Sequence, residues 1–239
     1  MKKHVTLILI FSAVLMLCGC CSPLTSPPLQ FVKLFNGCDL SGWININTDE
    51  DTWCVSEGIL KCTGKPIGVL CTDRQYENFI LQLEWKHLEA GGNSGVFLWS
   101  DSVPPKGQRL PRGIEVQILE LDWAALHNQT DDYVHGEIFG VGREIVPDNP
   151  RGTRSKSFEK RCKEKKIWNK YTMVCIDGVI KLSVNGKFVN GISKASVKKG
   201  YICLESEGAE IHFRNIHIME LPPGITSAEN TAPVISKMK

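Results

Sequence analysis

The sequence contains none of the short motifs on which much nucleotide and nucleophile chemistry is built. There is no GxSxG, no P-loop, no HExxH and no GxGxxG after a strand-like run. Serine-nucleophile, phosphate-cradling, zinc-protease and dinucleotide sites of those kinds are therefore excluded, and Gly140-Val141-Gly142 is too short for a dinucleotide. No amphipathic pattern lasts three helical turns, which argues against a helical bundle and a doubly wound fold. An excess of either charge is also missing. Lys and Arg number 28 against 26 Asp and Glu, interspersed, for a formal net charge of +2, so there is no electrostatic footprint for nucleic acid. The one basic run, Lys160-Arg161-Cys162-Lys163-Glu164-Lys165-Lys166, reads as a solvated loop.

Cysteine, by contrast, is abundant, with ten in 239 residues. The first of them fall in a leader-like start: basic Lys2 and Lys3, an apolar run from Val5 to Leu17, and the small Gly19 immediately before Cys20. The apolar run is shorter than the roughly 20 residues needed to span a bilayer. Residues 1–19 are read as a lipoprotein signal peptide and Cys20 as the lipid-bearing first residue of the mature chain. Residues 20–30, rich in Ser and Pro, form a tether that attaches the protein to a membrane of the bacterial cell envelope. Beyond the leader there is no C-x-x-C pair, so zinc ligation by thiolates is not expected. Cys21, Cys38, Cys54, Cys62, Cys71, Cys162, Cys175 and Cys203 lie in an oxidising compartment where pairing can occur, with connectivity left open. Cys62, Cys175 and Cys203 fit small apolar positions in strands.

From Gly58 to Leu221, short runs of β-branched and aromatic residues alternate with Gly, Asn and Asp turns. Eleven strands are predicted: 53–55, 59–62, 69–72, 79–87, 95–99, 114–119, 171–176, 179–184, 187–190, 200–206 and 211–220. Asp177-Gly178 and Asn185-Gly186 predict two-residue hairpins. In Phe79–Lys86, Phe79, Leu81, Leu83 and Trp85 share one face, while Gln82, Glu84 and Lys86 share the other. The expected fold is all-β, two stacked antiparallel sheets in a sandwich or jelly roll spanning residues 31–222. Residues 120–170 read as a long irregular stretch of functional loops, and 223–239 as a tail without fixed structure.

Two segments carry polar groups in a pattern suited to chemistry. In Arg112-Gly113-Ile114-Glu115-Val116-Gln117-Ile118, the apolar residues face the core, so Glu115 and Gln117 project together from the other face, roughly 6.6 Å apart. In His135-Gly136-Glu137-Ile138-Phe139-Gly140, glycines bracket a histidine able to act as acid or base near neutrality. Glu84, Asn93, Glu205 and Glu207 are further candidates. Carboxylates converging from separate strands would raise one another's pKa or hold a divalent cation; no other cofactor is implied.

These same residues carry a family resemblance. Leu34-Phe35-Asn36-Gly37, Asp39-Leu40-Ser41-Gly42-Trp43, Leu83-Glu84-Trp85, Gly92-Asn93-Ser94-Gly95-Val96, Pro111–Gln117, His135–Gly140, Trp168-Asn169-Lys170-Tyr171, Val184-Asn185-Gly186 and Phe213-Arg214-Asn215-Ile216 follow in order through nearly the whole mature domain. The chain resembles the 3-keto-disaccharide hydrolase domain family. That resemblance implies a concanavalin A-like jelly roll with a cleft on its concave sheet, and a substrate in which the sugar carries a ketone at C3. The ketone acidifies the hydrogen at C2; a base removes it, the enolate expels the C1 oxygen, and water adds. It implies Glu115 or His135 as base and acid, and Arg112 or a cation at the enolate oxygen. Gln117, Asn93, Glu84, Glu137, Glu205 and Glu207 would surround the sugar, and a separate oxidoreductase would make the ketone. Glu205 stands where similar sequences have a glutamine, and the abundance of cysteine is not a family feature.

Two other readings share the fold. A retaining glucanase would need two carboxylates ~5–5.5 Å apart across the bond, yet Glu115 and Glu120 are an odd number apart on one strand and face opposite ways without a bulge. A sugar-binding module without catalysis would use Trp99 or Trp123 as a stacking platform.

Overall fold

The computed structural model describes residues 29–130 and 133–234, so Cys20, the leader and the tether up to residue 28 lie outside the described residues. In chain order the strands are β1 (Val32–Lys33), β2 (Trp43–Ile46), β3 (Trp53–Ser56), β4 (Ile59–Cys62), β5 (Gly68–Thr72) and β6 (Phe79–His87). Then follow β7 (Asn93–Ser100), β8 (Gly113–Leu119), β9 (Ile138–Val141), β10 (Val146–Pro147), β11 (Pro150–Arg151) and β12 (Arg154–Ser155). The last are β13 (Asn169–Ile176), β14 (Val179–Val184), β15 (Lys187–Ser193), β16 (Tyr201–Ser206) and β17 (Ile211–Glu220). They make two antiparallel sheets. One runs β10-β15-β14-β13-β6-β17-β4-β3 with β1 added beside β17, and the other runs β11-β12-β9-β8-β7-β16-β5-β2.

All eleven expected strands are present, and the period-two pattern that announced them also orients them. Along β6 the buried residues are Phe79, Leu81, Leu83, Trp85 and His87, with half-buried ones between. The β13–β14 and β14–β15 turns place Asp177, Gly178, Asn185 and Gly186 at positive φ, the geometry that matches the natural twist of a two-residue hairpin. Between the sheets, Leu81, Leu83 and Trp85 meet Val96, Leu98, Ile114, Val116 and Ile118 in one continuous core.

β8 differs from β6 in a way that positions the site: every one of its residues is buried. A strand in a two-layer sandwich has one face on the core; burial of the other requires something outside the sheet. That covering is the stretch 120–170, which is more ordered than its composition suggested. It contains the one-turn helix α1 (Trp123–Leu126), β9, β11 and β12, which extend the second sheet beyond β8, and β10, which pairs with β15 at the edge of the first sheet. Their strands are too short for a period of two to be read, which is why they passed for loop. The tail also departs from expectation. After Pro222 the chain makes a short 3-10 turn at Ala228–Asn230, Thr231 bridges Lys199, and Ala232 is buried with its carbonyl accepting the Gln75 side-chain amide.

Cys71 and Cys203 are opposite one another on β5 and β16 and are joined by a disulfide. Cys203 is therefore a crosslink rather than a small apolar filler, whereas Cys62 and Cys175 are buried free thiols as expected. The bridge spans 132 residues of sequence, and a closed loop of that size restricts the unfolded chain strongly. Cys203→Ser should lower the urea-unfolding free energy by about 2–4 kcal/mol relative to the oxidised parent, and dithiothreitol should bring the parent to the same midpoint.

Candidate active site

The outer face of the second sheet is concave between β12 and β16, and it holds a cleft of about 490 Å³. Its floor is made by alternate residues of neighbouring strands: Asn93 from β7, Glu115 and Gln117 from β8, and Glu205 from β16 with Glu207 just beyond. The pattern that sent Ile114, Val116 and Ile118 into the core left Glu115 and Gln117 pointing here. On β16, Leu204 goes inward and Glu205 outward by the same rule.

Glu115 and Glu205 come together across β7 because the residue between them is Gly95. A Cβ there would stand 2.7 Å from Glu115 Oε1 and 3.0 Å from Glu205 Oε2. Three carboxyls thus share a confined space. Burial first, then the negative charge of Glu207, pushes Glu115 up to about 8, with Arg154 opposing the rise. Glu205 is fully buried with neither oxygen hydrogen-bonded; burial and then its neighbours Glu115 and Glu207 hold its carboxyl well above the usual range. Glu207, also raised by burial, is half-buried and accepts a hydrogen bond from Asn93 Nδ2 at 2.5 Å. Gln117 Nε2 in turn donates to Asn93 Oδ1 at 2.5 Å and to the Ser94 carbonyl at 3.1 Å. The chain Gln117→Asn93→Glu207 fixes both amides. Among the described residues no group of three or more His, Cys, Asp and Glu side chains is arranged to hold a metal ion.

Among the described residues that line the cleft the cation is Arg154, a residue with no periodic pattern to mark it. It lies over the Phe139 ring at 3.8 Å, and its Nη1 donates to Glu137 Oε2 at 2.9 Å. Arg112, expected at this place, instead pairs with Asp101 at 3.0 Å and leans over Gly142, outside the cleft. Glu137 does not line the cleft either; it is buried behind the wall, bound to Arg151 and Arg154. Trp123 and Tyr133 face the cleft from the covering segment.

Several candidates are placed elsewhere. His135 is 1 % exposed, and its Nε2 accepts the backbone N–H groups of Arg161 and Cys162, both at 3.0 Å. It borders a separate hollow of about 240 Å³ with Glu120, and burial, then the Lys160 charge, push its imidazole down to about 4. A ring whose lone pair is committed to two backbone donors is a brace for the 160–162 loop. Glu84 is on the opposite sheet, where it pairs with Arg214 at 2.7 Å. Trp99 is in the core with its Nε1 donating to the Glu77 carbonyl, leaving Trp123 as the one of the two tryptophans that can meet a sugar. Glu120 accepts the backbone N–H groups of Gly91 and Asp122 at 2.8 and 3.0 Å and cannot pair with Glu115 across a substrate.

Residues 30–219 match the family model of the 3-keto-alpha-glucoside-1,2-lyase-like domain. The chain belongs to that family. A 3-keto-disaccharide hydrolase of Bacteroides thetaiotaomicron is 29% identical over 86 residues, 32% of this chain and 29% of that protein, so the match spans under a third of the relative's length. Among solved structures, a Parabacteroides distasonis protein provisionally named a glycosyl hydrolase superposes with a TM-score of 0.64 at 20% identity, covering 80% of this chain and 94% of that one. The carbohydrate-binding module CBM66 of Bacillus subtilis gives 0.55 at 12% identity, covering 75% and 96%. At such identities these two show the fold alone, a two-sheet sandwich of the concanavalin A-like kind.

In this 3-keto-alpha-glucoside-1,2-lyase-like domain, Glu115 and His135 should separate cleanly by experiment. His135→Ala removes an acceptor from two backbone donors; the expected result is a lower urea midpoint with turnover per folded molecule unchanged. For Glu115 the folded pKa exceeds the unfolded one, so the folded state binds the extra proton and the associated stability is fully present below about 4.5 and lost as pH rises toward about 8. The difference in unfolding free energy between the parent and Glu115→Gln should therefore drift against the parent across that window, as measured by urea titrations at pH 5, 6.5 and 8.

Proposed function

We propose that the protein breaks the glycosidic bond of 3-keto-glycosides by elimination, followed by hydration of the resulting enone. The observation that carries this reading is the triad of carboxyls facing one guanidinium in a single cleft. Proton transfer from carbon needs a base, an acid and a stabiliser for the enolate within one substrate's reach. Glu207 is the least buried of the three carboxyls and accepts the Asn93 amide proton, which favours its ionised form; it takes the hydrogen from C2. Arg154 stabilises the negative charge that develops on the C3 oxygen. Glu115, its proton held to about 8, donates to the departing C1 oxygen. The C1–O bond breaks as the C1–C2 double bond forms, and water then adds its hydroxyl to C1 and a proton to C2. Glu205 keeps a second proton beside Glu115, and Gln117 and Asn93 bind hydroxyl groups. Trp123 offers a flat apolar face to a sugar ring.

The same proposal includes a lipid on Cys20, supported by the leader-like stretch from Lys2 to Gly19, and a location in the cell envelope. It also includes a separate oxidoreductase as the source of the ketone, since this chain has no dinucleotide motif.

The deciding experiment offers the purified domain a 3-keto-glucoside and the unmodified glucoside in deuterated water. Aglycone release and deuterium at C2 are expected from the ketone only, and Glu115→Gln should cut turnover by roughly 10²–10⁴-fold. Binding of both sugars with release of neither would instead make the domain a sugar-binding module.

A further inference from the structure

Glu137 lies outside the cleft, yet it joins two of the cleft's walls. Its carboxylate is 1 % exposed. Arg151 Nε donates to Oε1 at 3.0 Å, and Arg154 Nη1 donates to Oε2 at 2.9 Å. Each guanidinium also lies on an aromatic ring: Arg151 at 4.1 Å from the Tyr133 centroid, Arg154 at 3.8 Å from that of Phe139. Both rings line the cleft. One carboxylate therefore holds two like charges side by side, each flat against a ring.

We propose that Glu137 is a positioning residue: by clamping Arg151 and Arg154 onto Tyr133 and Phe139, it fixes the cleft guanidinium of Arg154 opposite the Glu115–Glu205–Glu207 group and sets the orientation of the aromatic wall. This inference rests on the functional reading above for its consequence in turnover, while its geometric content stands apart from it. Two guanidinium groups this close repel unless a shared anion lies between them, and the pair with Glu137 carries one net positive charge toward three carboxyls. Without the clamp, Arg154 would leave Phe139 for solvent, since its side chain is already 38% exposed at the cleft rim.

The charged groups that bear on Glu115 are Glu207, Arg154 and Glu137, with Glu205 across Gly95. Their signs make the test decisive. Glu137 itself is negative and raises Glu115, so Glu137→Gln with Arg154 unmoved would lower the Glu115 midpoint. If Arg154 is released, the lost positive charge raises it, by about one pH unit or more for a charge this near. The measurement is a ¹³C-carboxyl NMR titration of glutamate-labelled protein, with the Glu115 signal assigned by its loss in Glu115→Gln. The expected result is an upward shift in Glu137→Gln, matched by Arg154→Gln, together with a kcat roughly 10–100-fold lower on the 3-keto-glucoside at nearly constant KM. A downward or absent shift would overturn the proposal. Should Glu137→Gln fail to fold, Glu137→Asp keeps the charge but retracts it by one methylene and is expected to shift the midpoint upward as well; an unchanged midpoint in that variant overturns the clamp. Failure of the parent to release aglycone would remove the proposed reaction and leave the titration to decide the clamp.

Discussion

Carboxyl groups avoid one another and avoid burial, and this domain imposes both on Glu115 and Glu205, with half-buried Glu207 beside them. The means is a missing side chain. Gly95 leaves a gap in the row of residues along β7, and into it lean Glu115 from one neighbouring strand and Glu205 from the other. Any larger residue would drive the two apart. With the gap in place, desolvation and mutual repulsion keep protons on groups that would otherwise be ionised, and a carboxyl protonated near neutrality can serve as a proton donor. Sheet geometry is thereby converted into acidity. Alternation along β8 and β16 aims the side chains, antiparallel pairing sets their spacing, and the core on the opposite face holds the strands rigid.

The covering segment completes the electrostatics. A sandwich sheet alone would leave Glu115 in water at an ordinary pKa. The extension of the sheet by β9 and β12 brings Phe139 and Arg154 alongside, and α1 brings Trp123 over the top. The cleft then has an acidic floor, one cationic flank and an aromatic wall, which is a polarised environment for a small polar ligand.

How much of this could be read from the sequence depends on periodicity. Where residues alternate over five or more positions, as in β6, β8, β13, β14 and β17, both the strand and its facing are legible, and Glu115 and Gln117 follow on that basis. Glu205 and Glu207 follow as a pair, two residues apart and so on one face, and Asn93 from its glycine-rich neighbourhood at the start of β7. Arg154 was not legible, because β12 is a two-residue strand and the surrounding Gly152-Thr153 carries no pattern. His135 misled for the opposite reason: a histidine among glycines resembles a catalytic loop, while the decisive fact, two backbone amides aimed at its Nε2, comes from residues 26 and 27 positions away. Arg112 precedes β8 and its pairing with Asp101 is a long-range contact that no local pattern marks; Glu84 failed on a related point. Alternation says that a side chain leaves the core, and topology alone says which of the two outer surfaces receives it.

The last residues of the described chain have a separate consequence. Family likeness stops at residue 219, but Ala232 is sealed against the body and its carbonyl caps the Gln75 amide. The matched stretch is thus shorter than the unit that this polypeptide packs. A recombinant fragment ending at residue 219 would lose the Ala232 carbonyl that accepts from Gln75 and the Thr231 bridge to Lys199, leaving those groups to water.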